Sequence, residues 1–165
     1  MLKGKKIVLG VTGGIAAYKS AELTRLLVKE GSDVRIIMTA HAKEFITPLT
    51  LSTLSGNPIY CDTFSLTGEW KIGHISLAEY ADLMIIAPAT ANIIGKIASG
   101  MADDLLSTTV MATKAPILIC PAMNTNMYEN TIVQSNIGKL SSLGYHFMDA
   151  EKGELACRTE GSGRL

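Results

Sequence analysis

The sequence has no excess charge of either sign: fifteen lysines and arginines balance fifteen aspartates and glutamates over 165 residues. It has no basic stripe of the kind that binds nucleic acid and no basic amphipathic helix suited to a membrane surface. Its apolar runs fall well short of the roughly 20 residues that span a bilayer. Residues 1–6 lead straight into a strand pattern, so no secretory leader is expected. Only three cysteines are present, Cys61, Cys120 and Cys157, and none stands at CxxC spacing. An odd, scattered set argues against a disulfide framework and against a zinc or other metal site, and it points to a reducing, cytoplasmic setting. Repeats, low-complexity tracts and internal domain boundaries are also missing. What remains, with 47% hydrophobic residues, is one globular domain, since a chain of this length buries roughly 70% of its unfolded surface.

Short apolar runs followed by small residues dominate the pattern. Residues 5–11 (KKIVLGV) read as a strand, then Thr12-Gly13-Gly14-Ile15-Ala16-Ala17 opens a helical stretch reaching about Glu30. Leu23, Leu26 and Leu27 form its expected apolar face and Gly31 its stop. Residues 33–38 are the second strand, which completes a βαβ unit and predicts a parallel sheet with a right-handed crossover. Residues 39–73 carry less pattern, with short helices expected at 39–45 and 48–54 and a loop from 55 to 73. That loop exceeds the ordinary limit of about 12–15 residues, and such lengths belong to lids or binding loops. His74 opens a helix toward Asp82. Residues 83–87, 117–120 and 145–148 read as further strands, with helices ending near 99 and crossing 102–112 and 131–143. Periodicity disappears from Glu151 onward. The expected fold is α/β, a single-domain, Rossmann-like (flavodoxin-like) doubly wound parallel sheet.

Ligand sites of such sheets lie beyond the carboxyl ends of the strands, and three of those ends are unusual. Pro121-Ala122-Met123-Asn124-Thr125-Asn126-Met127 follows a buried strand with two carboxamides and two thioethers, an odd composition for a plain surface loop. Pro88-Ala89-Thr90-Ala91-Asn92 offers small residues against which a flat ring can lie, with Thr and Asn as uncharged hydrogen-bonding groups. Gly10-x-x-Gly13-Gly14 does not keep the G-x-G-x-x-G spacing, and the second strand ends in Met38-Thr39 rather than in the acid that binds a ribose diol. A hydroxyl there suits a phosphate monoester, and glycine amides at a helix N-terminus suit an anion, so the pair suggests a mononucleotide such as FMN. A tight turn with no ligand is the plainer reading of the same residues. His41, His74 and His146 have no ligand-spaced partners, and a lone histidine is more often a surface or cap residue. Cys157 sits in a glycine-bearing tail, read either as a frayed terminus or as a flap carrying a thiol over a site.

Taken in order, GVTGGIAAYK (Gly10 to Lys19), HISLA (His74 to Ala78), PATAN (Pro88 to Asn92), ADDLLSTT (Ala102 to Thr109), PAMNTNMYEN (Pro121 to Asn130) and LAC…GSGRL (Leu155 to Leu165) resemble the flavin-dependent cysteine decarboxylases. Within that family the resemblance is to the branch acting on 4′-phosphopantothenoylcysteine in coenzyme A biosynthesis. It is strongest to the N-terminal half of the bifunctional proteins whose other half is a phosphopantothenate–cysteine ligase, so a ligase domain is an expected partner. The resemblance covers residues 1–165 as one decarboxylase domain with a flap at about 151–165. It implies FMN held by Gly13, Gly14, Ile15, Ala16, Thr39, Phe45, Ala89, Thr90, Ala91 and Asn92. It also implies catalytic roles for His74, Asn124 and Cys157, with Ala122 and Met123 lining the substrate beside Asn124. Relatives assemble as homotrimers, often four in a dodecamer, with sites at subunit interfaces. Two positions depart from the common pattern: Arg158 stands where many relatives have Gly, and Tyr128 where Trp is common.

The implied chemistry explains the need for a flavin. Loss of CO₂ from a cysteine carboxylate leaves a carbanion with no electron sink. Oxidising the CH₂–S group to a thioaldehyde creates one, and a flavin is a natural two-electron acceptor. The resulting enethiol is then reduced to product, so the cycle is redox-neutral. Three other readings compete: a peptidyl-cysteine decarboxylase of lantibiotic maturation, a flavin prenyltransferase, and an FMN-binding regulatory or electron-transfer protein without catalysis.

Overall fold

Strands rich in β-branched residues and apolar on both faces can be buried only in the middle layer of an α/β sandwich. In the computed structural model, which describes residues 2–63, 73–149, 151–154 and 160–165, six of them form one sheet. They are β1 (Lys6–Val11), β2 (Asp33–Met38), β3 (Ile59–Tyr60), β4 (Leu83–Ala89), β5 (Ile117–Pro121) and β6 (His146–Phe147), in the order β3-β2-β1-β4-β5-β6. Every neighbouring pair is parallel. The doubly wound expectation holds, and the order places the switch point between β1 and β4.

Alternate residues of each strand feed two core layers. Val8, Ile37, Met84, Ile86 and Ile119 pack with side chains of α3 (Gly73–Tyr80), α4 (Ala91–Ala98), α5 (Leu105–Ala112) and α7 (Thr131–Ser142). Ile7, Leu9, Val34, Ile36, Met38, Ile85 and Cys120 face the other way, toward α1 (Lys19–Lys29) and α2 (Pro48–Ser55). Gly10 serves packing rather than a ligand. A Cβ there would stand 2.5 Å from Leu106 Cδ1, so the glycine lets α5 settle against the centre of β1.

Three expectations need correction. The buried face of α1 is Ser20, Thr24 and Leu27, while Leu26 is 52% exposed. Ser20 Oγ donates to the Ala87 carbonyl at 2.8 Å and Thr24 Oγ1 to the Ser20 carbonyl at 2.7 Å. Small hydroxyl residues thus bring the helix close to the sheet and turn Leu26 outward. The expected loop at 55–73 contains β3, and its residues 64–72 lie outside the described residues. Finally, the tail without periodicity is an antiparallel hairpin of β7 (Glu151–Glu154) and β8 (Glu160–Arg164), separate from the main sheet. Among the described residues no helix is long and apolar enough to cross a membrane.

Candidate flavin site at the carboxyl edge of the sheet

Because all six strands run the same way, the loops after β1, β2, β4 and β5 emerge on one edge. A chain of hydrogen bonds sews them together. Thr39 N–H donates to the Val11 carbonyl at 3.1 Å, joining the ends of β2 and β1. Thr12 Oγ1 donates to the Pro88 carbonyl at 2.6 Å and accepts from Thr90 N–H at 3.1 Å, joining β1 to β4. Ala122 N–H donates to the Ala89 carbonyl at 3.0 Å, joining β4 to β5. Thr12 is the functional residue that sequence reasoning passed over. Its signal was a hydroxyl directly before the double glycine, and in the fold it is 2% exposed.

Along this edge lie the residues expected to hold a cofactor. Gly14 is extended and precedes a single turn of 3-10 helix, Ile15–Tyr18, whose first amides have no partner within the turn. Gly13 is dictated by space, since a Cβ would lie 2.3 Å from His41 Cβ and 2.8 Å from its carbonyl carbon. The loop after β2 therefore rides directly on the loop after β1. Thr39 begins the next 3-10 turn without a side-chain capping bond, leaving its hydroxyl for another acceptor or donor. Ala89 is buried, Thr90 caps α4 by accepting from Ile93 N–H at 3.4 Å, Ala91 opens that helix, and Asn92 is exposed. Ile15 and Phe45 are large apolar residues exposed on the same loops, at 58% and 46%.

Glycine backbone, alanine walls, exposed apolar side chains and uncharged hydroxyls fit a flat aromatic ring system with a small anionic tail. Among the described residues no three His, Cys, Asp or Glu side chains gather as a metal site.

Beyond β5, Ala122 is buried, Met123 half-buried and Asn124 exposed. Asn124 caps the short α6 (Thr125–Tyr128), its Oδ1 accepting from Asn126 N–H at 2.9 Å. That bond assigns the amide orientation and leaves the NH₂ group pointing away as a donor, which is what a carboxylate requires. Thr125 Oγ1, one residue on, is buried without a partner among the described residues.

His74 stands in the first turn of α3. A crossover helix runs against its strands, so this end of α3 lies toward the same carboxyl edge. The residue is half-buried, and its Nδ1 is buried with no partner among the described residues. Such an orphaned polar atom costs about 1–3 kcal/mol, a penalty that a ligand contact would relieve. Cys157 lies outside the described residues, although β7 and β8 on either side are paired. The remaining thiols are poorly reactive. Burial raises the pKa of Cys120 to about 11, and burial chiefly, opposed by Lys43, raises that of Cys61. Cys120, in β5, is buried and packs as a small apolar residue.

Comparison with known proteins follows the same lines. The chain is 50% identical over 164 residues to the coenzyme A biosynthesis bifunctional protein CoaBC of Vibrio vulnificus, covering 99% of this chain and 41% of that protein. It therefore spans about two fifths of the length of such curated relatives. Among solved structures, a PPC decarboxylase with a cysteine-to-serine mutation, complexed with pantothenoylaminoethenethiol, superposes with a TM-score of 0.85 at 30% identity, over 98% of this chain and 91% of that one. SpaF, described as an FMN-dependent cysteine decarboxylase, gives a TM-score of 0.86 at 30% identity, over 99% and 91%. Residues 1–165 match the family described as Flavoprotein, and the chain belongs to that family.

Proposed function

We propose that this domain catalyses the FMN-dependent decarboxylation of 4′-phosphopantothenoylcysteine to 4′-phosphopantetheine in coenzyme A biosynthesis. The observation that carries the reading is Asn124. It presents an uncharged, oriented amide donor on a loop hydrogen-bonded to the cofactor cradle. A neutral donor holds the substrate carboxylate without the fixed positive charge that would oppose its departure as CO₂. FMN, rather than a dinucleotide, is favoured by the free Thr39 hydroxyl, by the Gly13-Gly14 turn and by the lack of an acid at the end of β2.

Bound in the cradle formed by Gly13, Gly14, Ile15, Ala16, Thr39, Phe45, Ala89, Thr90, Ala91 and Asn92, the flavin supplies reversible two-electron oxidation at the substrate's CH₂–S carbon. His74 handles the thiol and carboxylate end of the substrate, by proton transfer or by orienting it, a role typically worth roughly 10²–10⁴-fold. Cys157, which falls between β7 and β8 in sequence, would give the proton that must accompany return of the flavin's two electrons to the enethiol to form the saturated product. The complex of a cysteine-to-serine PPC decarboxylase with an enethiol supports that assignment. Ala122 and Met123 line the substrate beside Asn124.

Backbone likeness does not choose the substrate, since SpaF superposes as well as the PPC decarboxylase. The 50% identity with CoaBC does favour the coenzyme A substrate. Two fifths of a bifunctional protein leaves room for a ligase half in the natural chain. Assembly as a homotrimer, or as four trimers, in the cytoplasm is part of the same reading, and the exposed apolar Ile15, Tyr18 and Leu26 support an interface.

The test is CO₂ release from phosphopantothenoylcysteine set against a peptide ending in cysteine. Faster release from the phosphorylated substrate is expected. Preference for the peptide would replace the substrate assignment with peptide maturation, and flavin binding without release from either would sink the enzymatic reading.

A further inference from the structure

The C-terminal hairpin meets the Asn124 loop through a contact that only glycine allows. Gly163, in β8, is buried and holds φ at +124°, in the region L side chains rarely adopt. A Cβ there would stand 2.2 Å from the Met123 carbonyl oxygen and 3.3 Å from the carbonyl carbon. Met123 N–H in turn donates to the Gly163 carbonyl at 3.0 Å, and β8 packs against α6, which begins directly after Asn124. At the end of the strand Leu165 packs into the core layer under α1. Lys19 Nζ, in the first turn of that helix, donates to the Leu165 carbonyl. The C-terminal end of β8 therefore bridges the Met123-Asn124 loop and the helix behind the glycine turn, anchored at Gly163 and, two residues on, at Leu165.

We propose that Gly163 is a positioning residue: its backbone seats the covering hairpin on the Met123-Asn124 loop and so registers the cover against the carboxylate anchor. A side chain at this position forces β8 away from the Met123 carbonyl and breaks the one backbone bond that, among the described residues, joins the hairpin to that loop. The core, the flavin cradle and the Ala122–Ala89 rung stay intact, because none of them runs through Gly163. The inference rests on reading residues 151–165 as a substrate cover.

Amide exchange and kinetics on the full chain with flavin bound test it. In Gly163→Ala, flavin absorbance and Ala122 amide protection should persist while Met123 protection falls roughly tenfold or more. The kcat/KM for phosphopantothenoylcysteine should fall roughly a hundredfold, as a misplacement near 1 Å can cause. The loss should fall on kcat as well as KM, because the segment that β8 seats both covers the substrate and includes Cys157. Lys19→Met loosens the second anchor, at Leu165, and should cost a few-fold in kcat/KM with Met123 still protected. Unchanged Met123 protection in Gly163→Ala overturns the proposal, as does full kcat/KM with that protection gone. Loss of Ala122 protection overturns it too, by making Gly163 a folding residue. A wild-type chain inert toward the substrate overturns the substrate assignment alone, because selective loss of Met123 protection would still support the seat.

Discussion

Beyond the β1–β4 ladder, a single hydroxyl ties together the ends of the two strands at the switch point. Thr12 Oγ1 serves the Pro88 carbonyl and the Thr90 amide at once, holding the glycine turn in register with the PATAN loop. Thr12→Val keeps the shape and removes both bonds, leaving two buried groups unsatisfied at about 1–3 kcal/mol each. The melting temperature should drop by several degrees and flavin affinity should weaken, measured by thermal unfolding and by flavin titration of the apoprotein. A melting temperature and affinity equal to wild type would mean the hydroxyl is dispensable. This residue also marks the limit of sequence reading at this scale. Gly13 and Gly14 stood out as glycines, but the neighbour that requires Gly13, the backbone of His41, follows a different strand. His74, Asn124 and Cys157 took their roles from family resemblance, since no local spacing distinguishes a site histidine from a cap. For Asn124 the fold adds which end of its amide is free.

Elements were legible where burial imposes a pattern and illegible where it does not. β1, β2, β4 and β5 are continuous apolar runs because both faces are covered. β3 is two half-buried residues with no period to detect. β7 and β8 read EKGE and EGSGR, so their pairing is set by contact with α6 and Met123 rather than by alternation. The start of α5 shows the same division. The pattern places a helix across 102–112, and the structure starts it at Asp104, which forms a full capping box with Ser107. Lys96 Nζ adds bonds of 2.9 Å to Asp104 and 2.7 Å to Asp103, tying α4 to α5. Burial works to raise the Asp104 pKa, but the Ser107 amide and Lys96 outweigh it and hold the carboxyl below its ordinary value. A carboxyl depressed on folding stabilises the fold above its unfolded pKa of about 3.9, and that stability is lost as pH falls through the folded value. Asp104→Asn, which keeps a cap acceptor without the charge, should therefore show a flatter loss of stability below about pH 4 in urea unfolding. Asp104→Ala should cost about 1 kcal/mol at neutral pH through the lost cap. Parallel acid limbs for wild type and Asp104→Asn would contradict this account.

At the scale of the molecule, the six-stranded sheet and the C-terminal hairpin are two structures sharing one chain. The six parallel strands, both core layers and every bond of the flavin rim up to Ala122 lie within residues 2–149. The hairpin is a separate two-stranded sheet. Among the described residues it meets the rest through the Met123–Gly163 bond, the packing of β8 on α6, the Lys19 bond and the apolar contact of Leu165. On the proposed reading of residues 151–165 as a substrate cover, such a division lets the cover act without disturbing the cofactor cradle. Removing residues 150–165 should therefore leave a folded, flavin-binding domain. The loss of one half-buried leucine contact and a few hydrogen bonds is about 1–3 kcal/mol, roughly 2–10 °C in melting temperature for a domain of this size. Formation of the saturated product should vanish, since Cys157 leaves with the hairpin, while the bound-flavin absorbance persists. Thermal unfolding, the visible spectrum and the yield of saturated thiol product measured on the same preparation check each part of this outcome. A truncated chain that cannot fold or hold flavin would mean that the hairpin belongs to the core, and that the boundary between cradle and cover is drawn in the wrong place.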